Sequence, residues 1–494
     1  LERKTAMILK KPFLGILVLL LALSGLSSLD LRVNQTTLPL PSRSGALPVS
    51  FTLDGRAVSA YGLLECLPLM EEIYSLEIHH ARGLSRIDAD SPEEDFGEAW
   101  FIPEENRWDL LFRNTLYTGV TRFLARGALL DSRELTVWTS WEGGNELKAE
   151  LQRFAALHGL TIDAAEVPNP DSKLISLVRG RGRVPDLIMI QSSAVEDLIQ
   201  AGAVQSLDYL VLPDLIPQGK DAFTLNGRLW GVPFYFDTQV LIYNKDLIEL
   251  APGPWTLSDF ETAAAAAKHR GITPAAWNAY SSNWLIPFQI AFGKETLLER
   301  DGTIIVDDQP TRKALEYIIG LEQRGLLIPR ERDAMDALFI RGETAMILTG
   351  SYAIPYFTSL GLNFGIKPYP RHGGTGRPVS PLLDFKAFAM TRHTRVPVLA
   401  RRVLQHLAGR SVQERFTRDL AKIPVRPDLF PLRTIDPELN QVFTLSMQEG
   451  TVIPPQRIYR IYKNHLWKLI RFALSGRLSV EEVLRQGQRL MDNE

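Results

Sequence analysis

From residue 133 onward the spacing of apolar positions switches repeatedly between two periods. "ELTVWTSW" reads as a strand, whereas "GGNELKAELQRFAALHG" places Leu147, Leu151, Phe154 and Leu157 at helical spacing and ends at Gly159. "LTIDAAEV" and "PDLIMIQ" predict two more strands, and "DSKLISLVRGRG" and "SAVEDLIQAGAV" two more helices. This alternation predicts an α/β fold in which crossover helices cover a parallel sheet. Ligands of such sheets sit beyond the carboxyl ends of the strands. The loops after "LTVW" and "PDLIMI" are therefore the places to look, and they hold Trp141, Glu142, Gly143 and Gly144, then Gln191, Ser192 and Ser193.

Further along, "PWTLSDFETAAAAAKHRGITP" predicts a helix opened by a capping box of Ser258 and Glu261 and closed near Gly271. An aromatic stretch, "WNAYSSNWLIPFQIAFG", follows, and residues 429–494 read as helical with a basic tilt. Upstream the texture differs. "VSFTLDGRAV" predicts a hairpin with an Asp-Gly turn, "GLLECLPLMEEIYSLEI" a helix or a helix then a strand, and "SPEED" a loop. Residues 49–131 are thus expected to form a small mixed α/β accessory module, joined through an exposed linker at 31–48 that contains "LPLPSRSGALP". Residues 1–30, with Lys10 and Lys11 ahead of "PFLGILVLLLALSGLSS", predict an export signal, cleaved after Ser24, Ser27 or Ser28 or kept as an anchor. A lipid anchor is not expected, because no cysteine stands there.

The chain of 494 residues exceeds one ordinary core, at roughly 150 residues per domain. Its formal charge is -2, with no dense basic patch, which argues against nucleic acid. Cys66 is the single cysteine, so no internal disulfide is possible, and the 8 histidines do not cluster at metal-ligand spacing. G-x-S-x-G, H-E-x-x-H and Walker A patterns are missing, which removes the commonest hydrolase, zinc-protease and P-loop readings. No metal and no cofactor is expected.

One stretch resists a purely structural reading. In "GRLWGVPFYFDTQVLIYNKDLI" an apolar strand carries Tyr235 and Asp237. A carboxylate there must be paired, hydrogen-bonded or facing a cleft, because burial without a partner costs several kcal/mol. Sugars call for aromatic faces beside planar hydrogen-bonding groups. Trp141, Glu142, Gln191, Tyr235, Asp237, Trp284, Tyr352 and Asp384 supply both kinds, and Trp277 and Asn283 lie nearby in sequence. Glu142 and Asp237 also admit a second reading, as the acid and base of a glycosidase. A third is a sensory or scaffold protein whose accessory module docks a partner.

The order of "LTVWTSWEGGNELKAEL", "PDLIMIQSSAVEDLIQAGAVQSLD", "NGRLWGVPFYFDTQVLIYNKDLI", "PWTLSDFETAAAAA", "FIRGETAMILTGSYAI" and "ALSGRLSVEEVL" resembles family 1 extracellular solute-binding proteins of ABC importers, the maltodextrin-binding group. The resemblance runs from about residue 133 to the end. It implies a two-lobed fold of the periplasmic-binding-protein type, a monomer that closes on a small-molecule ligand, a carbohydrate in that group, without catalysis. Its partners would be membrane permease subunits with a separate ATPase, and its place the periplasm or the outer face of the membrane. On this pattern one lobe comprises residues 132–236 and 384–435 and the other residues 237–383 and 436–494. Trp141 and Glu142 match the loop after the first strand, Tyr235 and Asp237 the crossing segment at the cleft, and Trp284 the aromatic loop of the second lobe. Tyr352 stands where the family often has tryptophan, and Asp384 where many relatives have small residues. Replacing Asp237 with alanine is expected to weaken binding and leave the fold intact.

Overall fold

The computed structural model describes residues 29–493 except 34, 39, 44–47, 54–55, 67–69, 89–98, 113–114, 131, 142, 211, 252 and 434. The export segment, the "SPEED" loop and Glu142 fall outside the described residues.

The first body is built almost wholly from strands. Two five-stranded sheets form it: one runs Thr36–Thr37, Asp30–Val33, Arg122–Leu129, Met70–His80, Gly83–Asp88, the other Val49–Leu53, Arg56–Gly62, Trp100–Glu104, Arg107–Phe112, Thr115–Tyr117. Phe101 of the second meets Phe123 of the first edge-on at 5.7 Å, and Trp108, Leu110, Leu76 and Ile78 complete a core of its own. "GLLECLPLMEEIYSLEI" takes the form of a single helical turn, Leu63–Cys66, followed by the strand Met70–His80. The turn lies against the Gly144–His158 helix and so ties this body to the next.

The linker expected at 31–48 does not begin as a linker. "DLRV", Asp30–Val33, is a strand that pairs in parallel with Arg122–Leu129, burying Leu31 and Val33. The outward residues alternate with them, as the two-residue period requires. Asp30 accepts hydrogen bonds from Arg32 Nε at 2.7 Å and from Arg122 Nε at 2.8 Å.

The second body is a two-lobed α/β structure on an 11-stranded sheet. In the first lobe Thr161–Glu166, Glu134–Thr139 and Leu187–Gln191 run parallel, with Leu382–Met390 antiparallel beside them. In the second lobe Thr344–Gly350, Thr273–Trp277 and Ile328–Pro329 run parallel. Val232–Asn244 joins the two. Its first half pairs with Leu382–Met390 and Ile423–Pro424, its second half with Thr344–Gly350 and Phe364–Lys367. At about 3.4 Å per residue such a strand is long enough to cross between lobes. Neighbours on both faces explain its near-continuous apolar sequence, since every residue from Val232 to Tyr243 is buried.

The alanine-rich helix, Leu257–His269, starts differently from the expected capping box. Thr256 is the N-cap, accepting from the Asp259 N–H, while Asp259 accepts from the Thr256 N–H at 2.8 Å. Either T-x-x-D or S-x-x-E satisfies the local spacing. Glu261 instead pairs with Arg324 Nη1 at 2.7 Å, which settles the register in favour of the earlier cap.

Candidate functional site

Antiparallel pairing sets Asp237 opposite Asp384 and Tyr235 opposite Lys386. Directly opposed side chains share a face, and so do residues two apart on one strand. All four therefore project on one side of the crossing strands. Phe236 and Phe385 project on the other, with ring centroids 4.6 Å apart.

Two acids facing each other across a ladder repel unless each has a counter-charge. Here each does. Lys422 Nζ lies 3.0 and 2.9 Å from the two oxygens of Asp237, whose Oδ1 also accepts from Ser351 Oγ at 3.0 Å. Lys386 Nζ lies 2.6 Å from Asp384, and Gln191 Nε2 donates to the same carboxylate at 3.3 and 3.4 Å. Exposure separates the two pairs. The Asp237 side chain is 5% exposed and that of Asp384 34%, so Asp384 is the carboxylate a solute can reach.

Trp141 belongs to the Asp384 side of the arrangement. Its backbone is left-handed, φ 68°, an uncommon conformation for a residue with a Cβ. Lys386 Nζ sits 5.0 Å from its ring centroid. Gly143 is also left-handed, φ 88°, and a Cβ there would come 2.9 Å from Leu420 Cδ1, so the turn into the Gly144–His158 helix requires glycine. Tyr235 does not present a ring face to the cleft as expected. It is 2% exposed, its ring 5.3 Å from that of Phe234, and Lys422 Nζ lies 4.8 Å from its centroid. Its period-2 partner Asp237 faces the same buried cation, so both serve the hinge's interior.

The second lobe contributes the loops that follow its parallel strands. Ser351 ties this loop to the crossing strand twice, its N–H donating to Thr238 O at 2.8 Å and its hydroxyl accepting from the Thr238 N–H at 3.1 Å. Tyr352, next in sequence, carries the Arg332 guanidinium 4.1 Å from its ring centroid. Trp284 is half-buried in the first turn of Ser282–Ala291, which Ser281 caps. Beside it, the Asn283 carbonyl accepts from Gln239 Nε2 at 2.8 Å, and Asn283 Oδ1 accepts from the Tyr459 hydroxyl at 2.8 Å. Burial, then the nearby Asp384 carboxylate, pushes the Tyr459 hydroxyl far above the ordinary tyrosine range, which keeps it a neutral donor.

The chain thus brings Trp141, Gln191, Tyr235, Asp237 and Asp384 together at the hinge and sets Trp284 and Tyr352 on the second lobe. Sequence reasoning missed Lys386, Lys422, Ser351 and Tyr459. Lys386 was within reach, because it lies two residues beyond Asp384 on a strand. Lys422 had no such signal, being 185 positions from its partner.

A further set of contacts crosses between the lobes. Arg460 pairs with Asp197 and lies 3.8 Å from Asp171, Arg457 Nε lies 3.7 Å from Asp197, and Glu196 accepts the Arg457 N–H at 2.6 Å. A first-lobe carboxylate thus caps a second-lobe helix, where the helix dipole favours negative charge. Arg460→Ala should loosen this clasp, enlarging the ligand-free radius of gyration in small-angle scattering and weakening ligand affinity by roughly two- to fivefold, the scale of a partly exposed pair. An unchanged scattering profile would assign the clasp no role in closure.

The model of the family described as bacterial extracellular solute-binding proteins matches residues 151–440. The chain belongs to this family. It is 23% identical over 313 residues to the galactooligosaccharide-binding protein of Bacillus subtilis, covering 59% of this chain and 72% of that one. It is 22% identical to the maltodextrin-binding protein MdxE of the same organism, with 58% and 69% covered. Among solved structures, the maltose/maltodextrin-binding domain MalE from Bdellovibrio bacteriovorus bound to maltotriose superposes with a TM-score of 0.64 at 20% identity, covering 73% of this chain and 99% of that one. The GacH receptor of Streptomyces glaucescens, solved unliganded and with acarbose, gives 0.65 at 21% identity with the same shares. The family is one of binding proteins, not enzymes, and the likeness of fold extends to its two lobes. Among the described residues no helix is long and apolar enough to cross a membrane.

Proposed function

We propose that this solute-binding protein is the extracytoplasmic receptor of an ABC importer and closes its two lobes on a sugar or oligosaccharide. The observation that carries the reading is the reachable Asp384, held by buried Lys386 and by Gln191 next to the Trp141 ring. A planar, oriented carboxylate beside an aromatic face suits a carbohydrate's hydroxyl edge and apolar face. The similarity to galactooligosaccharide- and maltodextrin-binding proteins supports the same ligand class.

In this reading the lobes comprise residues 132–236 with 384–435, and 237–383 with 436–494. Asp384, Gln191 and Trp141 contact the sugar from the first lobe and Trp284 from the second, while Asp237 and Tyr235 hold the hinge. Glu142 adjoins Trp141 in sequence and shares its proposed role. Closure follows from the ligand's higher affinity for the closed form, and its extent is limited by that difference. Permease subunits and a separate ATPase complete the system, and residues 1–30 direct export. The protein acts as a monomer, without metal or cofactor. The glycosidase alternative loses its second carboxylate, because Asp237 is locked against Lys422 and is poorly placed to exchange a proton with substrate.

A thermal-shift screen of mono-, di- and oligosaccharides tests the reading. A bound sugar at a hundred times its Kd should add about 2.7 kcal/mol of stability. Titration calorimetry with the responding sugar should show tenfold or greater weakening in Asp384→Asn, the scale of a lost charged hydrogen bond. Silence across the whole panel would redirect the search to solutes other than sugars.

A further inference from the structure

Tyr352 is an aromatic residue with neither face open. It follows the strand Thr344–Gly350 and begins the helix Ala353–Ser359. One ring face lies on Gly350. A Cβ at that position would land among ring carbons Cε1, Cδ1 and Cζ, so the close approach requires glycine. With that face taken, the Arg332 guanidinium, 4.1 Å from the centroid, covers the other. Arg332 sits at the first position of Arg332–Ile340, and Asp336, one turn on, lies 3.9 Å from its Nε. Asp336 Oδ1 is buried without a hydrogen-bond partner among the described residues. The Arg332 side chain is itself 51% exposed, and it follows the strand Ile328–Pro329 at the carboxyl end of the second lobe's parallel strands.

A flat apolar ring face is what lets an aromatic residue stack on a pyranose. Here that place is filled by a planar group that donates hydrogen bonds in a fixed fork. We propose that Arg332 determines specificity at this subsite: it occupies the stacking place on Tyr352 and grips the oxygen edge of the bound sugar with its N–H groups. Tyr352 and Asp336 are then positioning residues, and the unit accepted is one that presents several oxygen acceptors to the second lobe. This deepens the carbohydrate reading and rests on it.

Calorimetric titration of maltotriose and of a galactotriose into the protein and its variants tests the proposal. For the better-bound sugar, Arg332→Ala should weaken binding at least tenfold, and Tyr352→Phe less than twofold. Arg332→Lys keeps the charge and loses the planar fork, so it should stay near the alanine variant. Thermal midpoints within a few degrees of the parent establish that the fold is retained, and Arg332→Gln replaces any variant that fails this check. An Arg332→Ala loss exceeding that of Tyr352→Ala supports the proposal. An equal or larger loss in Tyr352→Ala, or full recovery in Arg332→Lys, overturns it while leaving the sugar reading intact. If the parent binds neither sugar and none in the wider screen, the carbohydrate reading fails and this inference fails with it.

Discussion

Asp237→Ala is expected to destabilise the protein by about 3–5 kcal/mol, the cost of breaking a buried ion pair on one side. Its carboxylate and the Lys422 ammonium are both almost fully buried, with side chains 5% and 3% exposed. Removing the acid leaves Lys422 against the Tyr235 ring without a counter-charge among the described residues and deprives the Ser351 hydroxyl of its acceptor. Lys422→Ala should cost a similar amount by stranding the acid. Asp237→Leu combined with Lys422→Met should recover most of the loss, since an apolar pair of similar volume carries no desolvation penalty. Urea unfolding monitored by tryptophan fluorescence measures all three. An Asp237→Ala variant as stable as the parent would show that water reaches the pair and that the hinge is wetter than its burial indicates. This expectation replaces the one drawn from sequence, in which the same substitution spared the fold.

The reason for that reversal marks how far the sequence carries. An isolated acid in an apolar strand announces that it must have a partner, and the alternation of Tyr235, Asp237 and their neighbours tells which side chains share a face. The partner itself comes from a short strand approach at Ile423–Pro424, nearly two hundred residues away, and no local period encodes it. The same physics accounts for the first body. Four residues, "DLRV", are too few to distinguish a strand from a linker. What makes them a strand is the edge supplied by Arg122–Leu129, far along the chain. The α/β alternation, by contrast, was legible because each helix and strand, from 5 to 15 residues long, declares its own period and the periods alternate along the chain. The cleft-facing loops followed from the strand direction alone. The candidate list mixed two classes, residues a solute can meet and residues that hold the hinge, because composition cannot tell a reachable carboxylate from a locked one.

Hinge and cleft are therefore built from the same strand face. Lys386 connects them: it neutralises the reachable Asp384, lies beside the Trp141 ring, and pairs across the ladder with Tyr235, the ring that Lys422 covers. Closure must move the second lobe against this face, and the Ser351–Thr238 and Gln239–Asn283 hydrogen bonds hold the second half of the crossing strand to that lobe. Those bonds run through backbone groups at the crossing, which suits a hinge whose φ/ψ change is spread over few residues.

Acid should weaken the first lobe through Glu150. This carboxylate sits on the Gly144–His158 helix, whose N-cap Gly143 stands two residues after Trp141. Its Oε1 lies 2.7 Å from His406 Nε2 and 2.8 Å from Arg153 Nη2, and its Oε2 lies 2.9 Å from Arg415 Nη2. Burial alone would raise its pKa, but the hydrogen bond and charge of His406, followed by Arg153 and Arg415, outweigh it and hold the group well below the usual carboxylate range. A carboxyl depressed in the folded state stabilises it fully above the unfolded value, near 4.5, and less and less as pH falls toward the folded value. Unfolding free energy should thus decline steadily from about pH 5 downward, with a steeper slope than in Glu150→Gln. That variant should be about 3–5 kcal/mol less stable at neutral pH, because it leaves two guanidinium groups and the imidazole crowded without a counter-charge. Urea titrations at pH 7, 5 and 4 on both proteins decide the matter. Parallel pH dependences would mean that the acid sensitivity arises elsewhere. A converging pair would tie the turn carrying Trp141 to one buried carboxylate, so that affinity for the solute should fall in acid together with stability.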